Sequence, residues 1–260
     1  MISTYDDVLT LKKKEGVLRL RILKDDIIQI LFHPDEKTDV PKSLSVLEER
    51  AQDTQFEIIK KEKTSIIKTS KIQINVNKET GSLRFLDSPG STILKENGRN
   101  LIKTEVMGEE TYHVKQSFKW QEGEALYGLG QHQDVEKKIN YRGSNVHLYQ
   151  GNTKASVPVL LSSKGYGILW DNYSYTKFHD SDGESYLWSE VGDQINYYFL
   201  FGPEIDKIIK NIRFLTGKCP MFPKWFFGYV QCKERYKTAE ELVGIVEEYM
   251  KEIDKKSVEY

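Results

Sequence analysis

The sequence predicts a mainly β fold: a sandwich of two antiparallel sheets, followed near the end by one strand and one helix. Three observations carry this prediction. Apolar residues alternate from about Gly16 to Pro203, which is the period of a half-buried strand. Turn-forming residues interrupt the alternation at short intervals, as they do between the strands of a sandwich. After Gly217 the pattern changes to a continuous apolar run and then to helical spacing.

The elements follow in chain order. Leu18, Leu20 and Ile22 alternate with Arg19 and Arg21. Ile72, Ile74 and Val76 alternate with polar residues up to a turn at Glu79-Thr80-Gly81, and Leu83 and Phe85 begin the returning strand. Val157 to Leu161, the turn Ser162 to Gly165, and Gly167 to Trp170 make a second hairpin. Ile195, Tyr197, Phe199 and Phe201 mark one more alternating strand. This sandwich is assigned to residues 1–215. Pro220 and Pro223 punctuate a connector over 216–222. The run Trp225 to Val230 then reads as a fully buried strand. Thr238 with Glu241 forms a capping-box signature ahead of Leu242, Ile245, Val246, Tyr249 and Met250 at helical spacing. A buried strand followed by a helix is half of a βαβ unit, which needs a parallel neighbour. The polar segment 252–260 does not supply one.

Composition narrows the function. With 38% hydrophobic and 12% aromatic residues, a 260-residue chain buries one large core or two modest ones. Basic and acidic residues nearly balance, 38 against 39, so charge gives no reason to expect nucleic acid or an anionic membrane as partner. No apolar run approaches the ~20 residues of a bilayer span. Met1 to Gly16 carries Asp6, Asp7 and a charged Lys12–Glu15 run rather than an apolar leader. A cytoplasmic location is therefore expected unless a leader has been removed. Cys219 and Cys232 match neither a zinc pattern nor a disulfide framework.

One segment resembles a known family. Glu124-Ala125-Leu126-Tyr127-Gly128-Leu129-Gly130-Gln131 is similar to the E-x-x-Y-G-L-G-E/Q signature of glycoside hydrolase family 31. Asn140 to Gly143, Asn152-Thr153, Val157-Pro158, Ser162 to Trp170, Leu215 to Gly217, Pro220 and Pro223 recur in the family's order. Phe227 to Tyr236 resembles the family's first barrel strand in its α-xylosidase-like form. The resemblance implies a galactose-mutarotase-like β-sandwich followed by the first βα unit of an incomplete (β/α)8 barrel over 223–260. It further implies a parent enzyme that hydrolyses O-glycosyl bonds of α-linked xylosides or glucosides with retention. Such chemistry uses two carboxyls only ~5–5.5 Å apart. In the family both aspartates lie on later barrel strands, so no catalytic residue is assigned and the chain itself is expected to be inactive.

The resemblance also supplies candidate substrate-binding residues. A sandwich loop of the family reaches over the barrel mouth, and Tyr149 to Thr153 takes its place here, offering Gln150, Asn152 and Thr153. Amides and hydroxyls suit sugar hydroxyls because they both donate and accept. An ordinary polar hairpin loop is the alternative. Gln231, Lys233 and Tyr236 follow the expected barrel strand, where the family lines its donor-sugar pocket. Alternatively, Tyr236 packs on the following helix and Lys233 faces solvent. Tyr173, Tyr175, Tyr186 and Trp188 suggest a sugar-stacking platform, although such residues more often fill a sandwich core or its edge.

No cofactor is expected. His132 and His179 lack a ligand partner at metal spacing, Asp180 to Glu184 lacks a calcium-loop pattern, and Gly128-Leu129-Gly130 lacks the rest of a phosphate loop. Its glycines are read as points of close chain approach. The expected partner is an α-linked oligosaccharide or glycoside, with self-association through the incomplete barrel. A non-catalytic carbohydrate-binding or subunit-interaction module is the alternative from a different functional class.

Overall fold

The computed structural model describes residues 2–5, 8–35, 42–47, 54–132 and 139–257. The strands begin with β1 (Ile2–Tyr5), β2 (Val8–Lys13), β3 (Gly16–Lys24), β4 (Ile27–His33), β5 (Glu57–Lys60) and β6 (Thr64–Lys68). They continue with β7 (Ile72–Asn77), β8 (Leu83–Asp87), β9 (Thr92–Val106), β10 (Glu109–Lys119), β11 (Leu126–His132) and β12 (Asn145–Leu148). The last are β13 (Lys154–Ser162), β14 (Tyr166–Trp170), β15 (Thr176–Ser181), β16 (Glu184–Gly192) and β17 (Ile195–Phe201). Helices α1 (Ile205–Thr216) and α2 (Ala239–Ser257) follow.

The described strands form two antiparallel sheets. One runs β1-β2-β3-β4-β17-β14-β13-β11, the other β12-β15-β16-β10-β9-β8-β7-β6-β5. Both predicted hairpins are present: β7 pairs β8 with Ile74 opposite Phe85, and β13 pairs β14 with Leu160 opposite Ile168. Alternation sends Leu18, Leu20, Ile22, Ile74, Phe85, Phe178, Tyr197 and Phe199 into one core between the sheets. Phe85 and Phe199 stack there at 4.0 Å.

Strand β17 does more than alternation implies. Its inner residues join that core, while Tyr198 and Leu200 are buried on the opposite face with Leu169, Ile208 and Leu215. Helix α1 covers this second face. The strand pattern gives no sign of α1, although Ile205, Ile208, Ile212 and Leu215 recur at helical spacing. Gly217 closes α1 at φ 89° with its N–H on Arg213 O, 3.0 Å away, a left-handed stop that favours glycine.

The chain divides into two units, Met1–Lys218 and Cys219–Tyr260. In the second, the predicted strand at Trp225 to Val230 does not form. Lys224–Phe227 makes a 3-10 turn instead, with Phe226 N–H on Pro223 O at 3.0 Å and Gly228 N–H on Trp225 O at 3.1 Å. A parallel strand takes its hydrogen bonds from neighbours, and no described residue of this unit provides one. The backbone therefore closes its bonds locally, and Trp225, Phe227, Tyr229 and Val230 stand exposed. Helix α2 forms as expected, and Thr238 Oγ1 accepts from Glu241 N–H at 3.2 Å.

Candidate carbohydrate-binding residues and the signature segment

The loop between β12 and β13 ends in a two-residue turn closed by a bridge from Gly151 to Lys154. Asn152 and Thr153 form its exposed tip. Thr153 sits at φ 66°, a conformation that β-branched residues adopt rarely and at a cost. Gln150 is committed to the loop: its Nε2 donates to Ser156 O at 2.9 Å and its Oε1 accepts from Ser156 N–H at 3.1 Å. Its carboxamide substitutes for a rung of the ladder. Tyr149 receives Lys154 Nζ on its hydroxyl at 2.6 Å. The loop thus presents Asn152 and Thr153 outward on a base fixed by Gln150.

In the second unit, Gln231 Oε1 accepts from Tyr229 OH at 2.6 Å and from Tyr249 OH at 2.9 Å. Lys233 pairs with Glu241 and lies 5.9 Å from the Tyr236 ring. All three candidates here stand close to the N-terminal half of α2 or its tyrosine.

The expected aromatic platform divides. Trp188 and Tyr175 meet edge-on at 6.4 Å on the outer face of the second sheet, and Lys177 lies 4.9 Å over Trp188. Tyr186 stacks on His179 at 4.6 Å. Tyr173 lies elsewhere, bonded to Asp171. Cations and neighbouring rings already contact the three sheet residues.

The signature segment is a buried polar anchor. Glu124 is 4% exposed. Its Oε1 accepts from Ser162 Oγ at 2.6 Å and Tyr166 OH at 2.5 Å, and its Oε2 from Gln121 N–H at 2.6 Å. Burial first, and then the adjacent Glu124 charge, push the Tyr166 phenol well above its usual range. Asn140 Oδ1 accepts from Leu126 N–H at 2.9 Å, so the second resembling motif is tied to the first. The glycines act as expected, since β11 approaches β13 closely at Gly128 and Gly130.

Against these features the known proteins can be placed. A family model, the glycosyl hydrolase 31 N-terminal galactose mutarotase-like domain, matches residues 17–179, well over half of the chain. The chain belongs to the glycosyl hydrolase 31 family. It is 38% identical over 243 residues to an α-xylosidase of Saccharolobus solfataricus, covering 89% of this chain and 32% of that protein. It is 28% identical over 218 residues to an uncharacterized family 31 glucosidase of Pseudescherichia vulneris, covering 75% of this chain and 41% of the other. The fold matches the crystal structure of a glycosyl hydrolase 31 α-xylosidase from Xanthomonas citri at TM-score 0.84 and 23% identity, over 96% of this chain and 44% of that one. The chain thus spans less than half the length of each of these relatives.

The glycosyl hydrolase 31 sandwich has a second polar lock beside the first. Asp180 Oδ2 accepts from Arg142 Nε at 2.8 Å and Gly143 N–H at 2.7 Å, while Ser185 Oγ donates to Oδ1. Burial works to raise this carboxyl's pKa, but the Ser185, Gly143 and Arg142 bonds outweigh it and the net shift is downward. A depressed folded-state pKa contributes stability that is present above the unfolded value of about 3.9 and is lost as pH falls through the folded value. Stability should therefore drop below about pH 4. Asp180→Asn should flatten that part of the curve, as read by urea midpoints between about pH 2 and pH 6. An unchanged slope in the variant would assign the acid sensitivity to other groups.

Proposed function

We propose that the chain is the N-terminal part of a retaining α-glycosidase, with α-xylosides the first choice of substrate and α-glucosides the second. The observation that carries this reading is the 38% identity to an α-xylosidase across nearly the whole chain. In this reading residues 1–215 are the sandwich, 216–222 the connector and 223–260 the start of the catalytic barrel. Asn152 and Thr153 touch the substrate from a loop tip held by Gln150, and the strained Thr153 backbone supports a role beyond chain reversal. Gln231, Lys233 and Tyr236 belong to the donor-sugar side.

The chain by itself does not turn over glycosides. Retention requires a nucleophile and an acid about 5–5.5 Å apart across the anomeric carbon, and the resemblance puts both on barrel strands beyond this segment. Purified chain incubated with aryl α-xyloside and aryl α-glucoside should release no phenol above the uncatalysed rate. Measurable turnover that follows the protein through purification would overturn this.

A second reading, a subunit-interaction module whose partner is a second copy of this chain, is supported by the exposed Trp225, Phe227, Tyr229, Val246 and Met250 of the second unit. In that case the same preparation, run by light scattering, would associate in a concentration-dependent way, whereas a monomer at all concentrations would count against it.

A further inference from the structure

Where β6, β7, β8 and β9 lie side by side in the second sheet there is a cavity of about 250 Å3, lined by Thr64, Asn75, Asn77, Ser82, Arg84 and Lys95 among others. That is below the range of about 300–1,000 Å3 typical of drug-sized ligands and suits one small group. No described aromatic ring lines it, so it offers no stacking surface for a sugar or a base.

Strand register makes its wall cationic. Asn75 stands opposite Arg84, and Arg84 opposite Lys95. Lys119 continues the row on β10, opposite Lys95. Like charges directly opposite one another across a sheet are destabilising. Among the described residues no carboxylate pairs with Arg84 or Lys95. The one carboxylate in the described lining, Glu96, is engaged elsewhere: Oε1 accepts from Tyr197 OH at 2.7 Å, and Oε2 from Leu83 N–H at 2.8 Å and from Arg99.

The carboxamides add donors rather than acceptors. Asn77 Oδ1 accepts from the N–H groups of Glu79 and Thr80, both at 2.9 Å, which uses both lone pairs and leaves Nδ2 as what that side chain can offer. Asn75 Oδ1 accepts from Gln73 Nε2 at 2.8 Å. A neutral sugar needs donors and acceptors in comparable number. Positive charge with an excess of donors instead matches an oxyanion, whose oxygens accept charge-assisted hydrogen bonds.

We propose that this cavity is an oxyanion site that takes a phosphate group, free or esterified to a sugar, between Arg84 and Lys95, with Asn77 as a neutral donor. The site lies wholly within the Met1–Lys218 unit, so phosphate binding does not depend on glycoside turnover, and its failure leaves the proposed function untouched.

The test uses the 260-residue chain, isotope-labelled and titrated with inorganic phosphate and, separately, with glucose 6-phosphate, sodium chloride holding the ionic strength constant. Saturable amide shifts are expected at Asn75 to Asn77, Ser82 to Arg84 and Lys95 with at least one of the two. Tighter saturation by inorganic phosphate identifies the free ion as the ligand, and tighter saturation by glucose 6-phosphate identifies the ester. Arg84→Gln and Lys95→Gln should each weaken binding at least about tenfold, since each removes a charge-assisted contact. Neither side chain is buried, so both variants should melt close to the parent. Lys14→Gln, in another lysine-lined cleft at the β2–β3 turn, should leave binding unchanged. Absence of saturable shifts with both probes would overturn the proposal, as would binding retained in Arg84→Gln and Lys95→Gln. So would a loss in Lys14→Gln equal to that in Arg84→Gln, which would reduce the effect to diffuse charge.

Discussion

Replacing Glu124 with alanine should destabilise the sandwich by about 3–5 kcal/mol, among the largest single-residue effects in the chain. Three donors converge on its carboxylate: Ser162 Oγ, Tyr166 OH and Gln121 N–H. Ser162 and Tyr166 are 1% and 0% exposed. Alanine leaves these donors without an acceptor in a site that water does not reach, and each orphaned group costs about 1–3 kcal/mol. For a unit of this size that corresponds to roughly 10 °C in melting temperature. Glu124→Gln is the informative control, since its carbonyl oxygen still accepts from Ser162 and Tyr166 while its amide faces the Gln121 N–H. It should cost about 1–2 kcal/mol. Urea unfolding separates the two variants, and equal losses would mean that side-chain volume rather than acceptance is what the site requires.

Gly130→Ala should cost about 3–4 kcal/mol. Gly128, Leu129 and Gly130 take φ values of 102°, 61° and 94° in succession, at the point where the β11–β13 register shifts. A Cβ on Gly130 would lie 2.0 Å from Ala155 O and 2.8 Å from Val157 N. Both are backbone atoms, so relief requires moving β13 itself. Gly123 provides the comparison: it also has positive φ, at 65°, but nothing lies within 4 Å of its added Cβ. Gly123→Ala should therefore show only the conformational term of about 1–2 kcal/mol. Hydrogen exchange along β11 and β13 should speed up in Gly130→Ala alone. Equal effects of the two substitutions would rule out the close approach as the cause.

The parts of this fold that were legible in the sequence are those fixed by local rules. The β7–β8 and β13–β14 hairpins were readable because alternation and a turn sit within a dozen residues of each other. The α2 start was readable because Thr238 and Glu241 are three residues apart. Trp225 to Val230 misled because an all-apolar run implies a strand only when neighbouring strands take up its hydrogen bonds, and that condition lies outside the run. Helix α1 had a readable period that the surrounding strands masked. Within the candidate site, the loop at Tyr149 to Thr153 could be located, but the pairing of Gln150 with Ser156 depends on how the chain turns back, which composition does not encode.

Glu124 joins the start of β11 to Ser162 and Tyr166 on β13 and β14, and Arg142 joins the Asn140–Gly143 motif to Asp180 on β15. Two residues that carry the family resemblance, Glu124 and Arg142, are therefore joints between strands. Glu124 and Asp180, the acceptors of the two joints, are buried while Asn152 and Thr153 are exposed, so changes at that loop tip leave the clamps between strands in place.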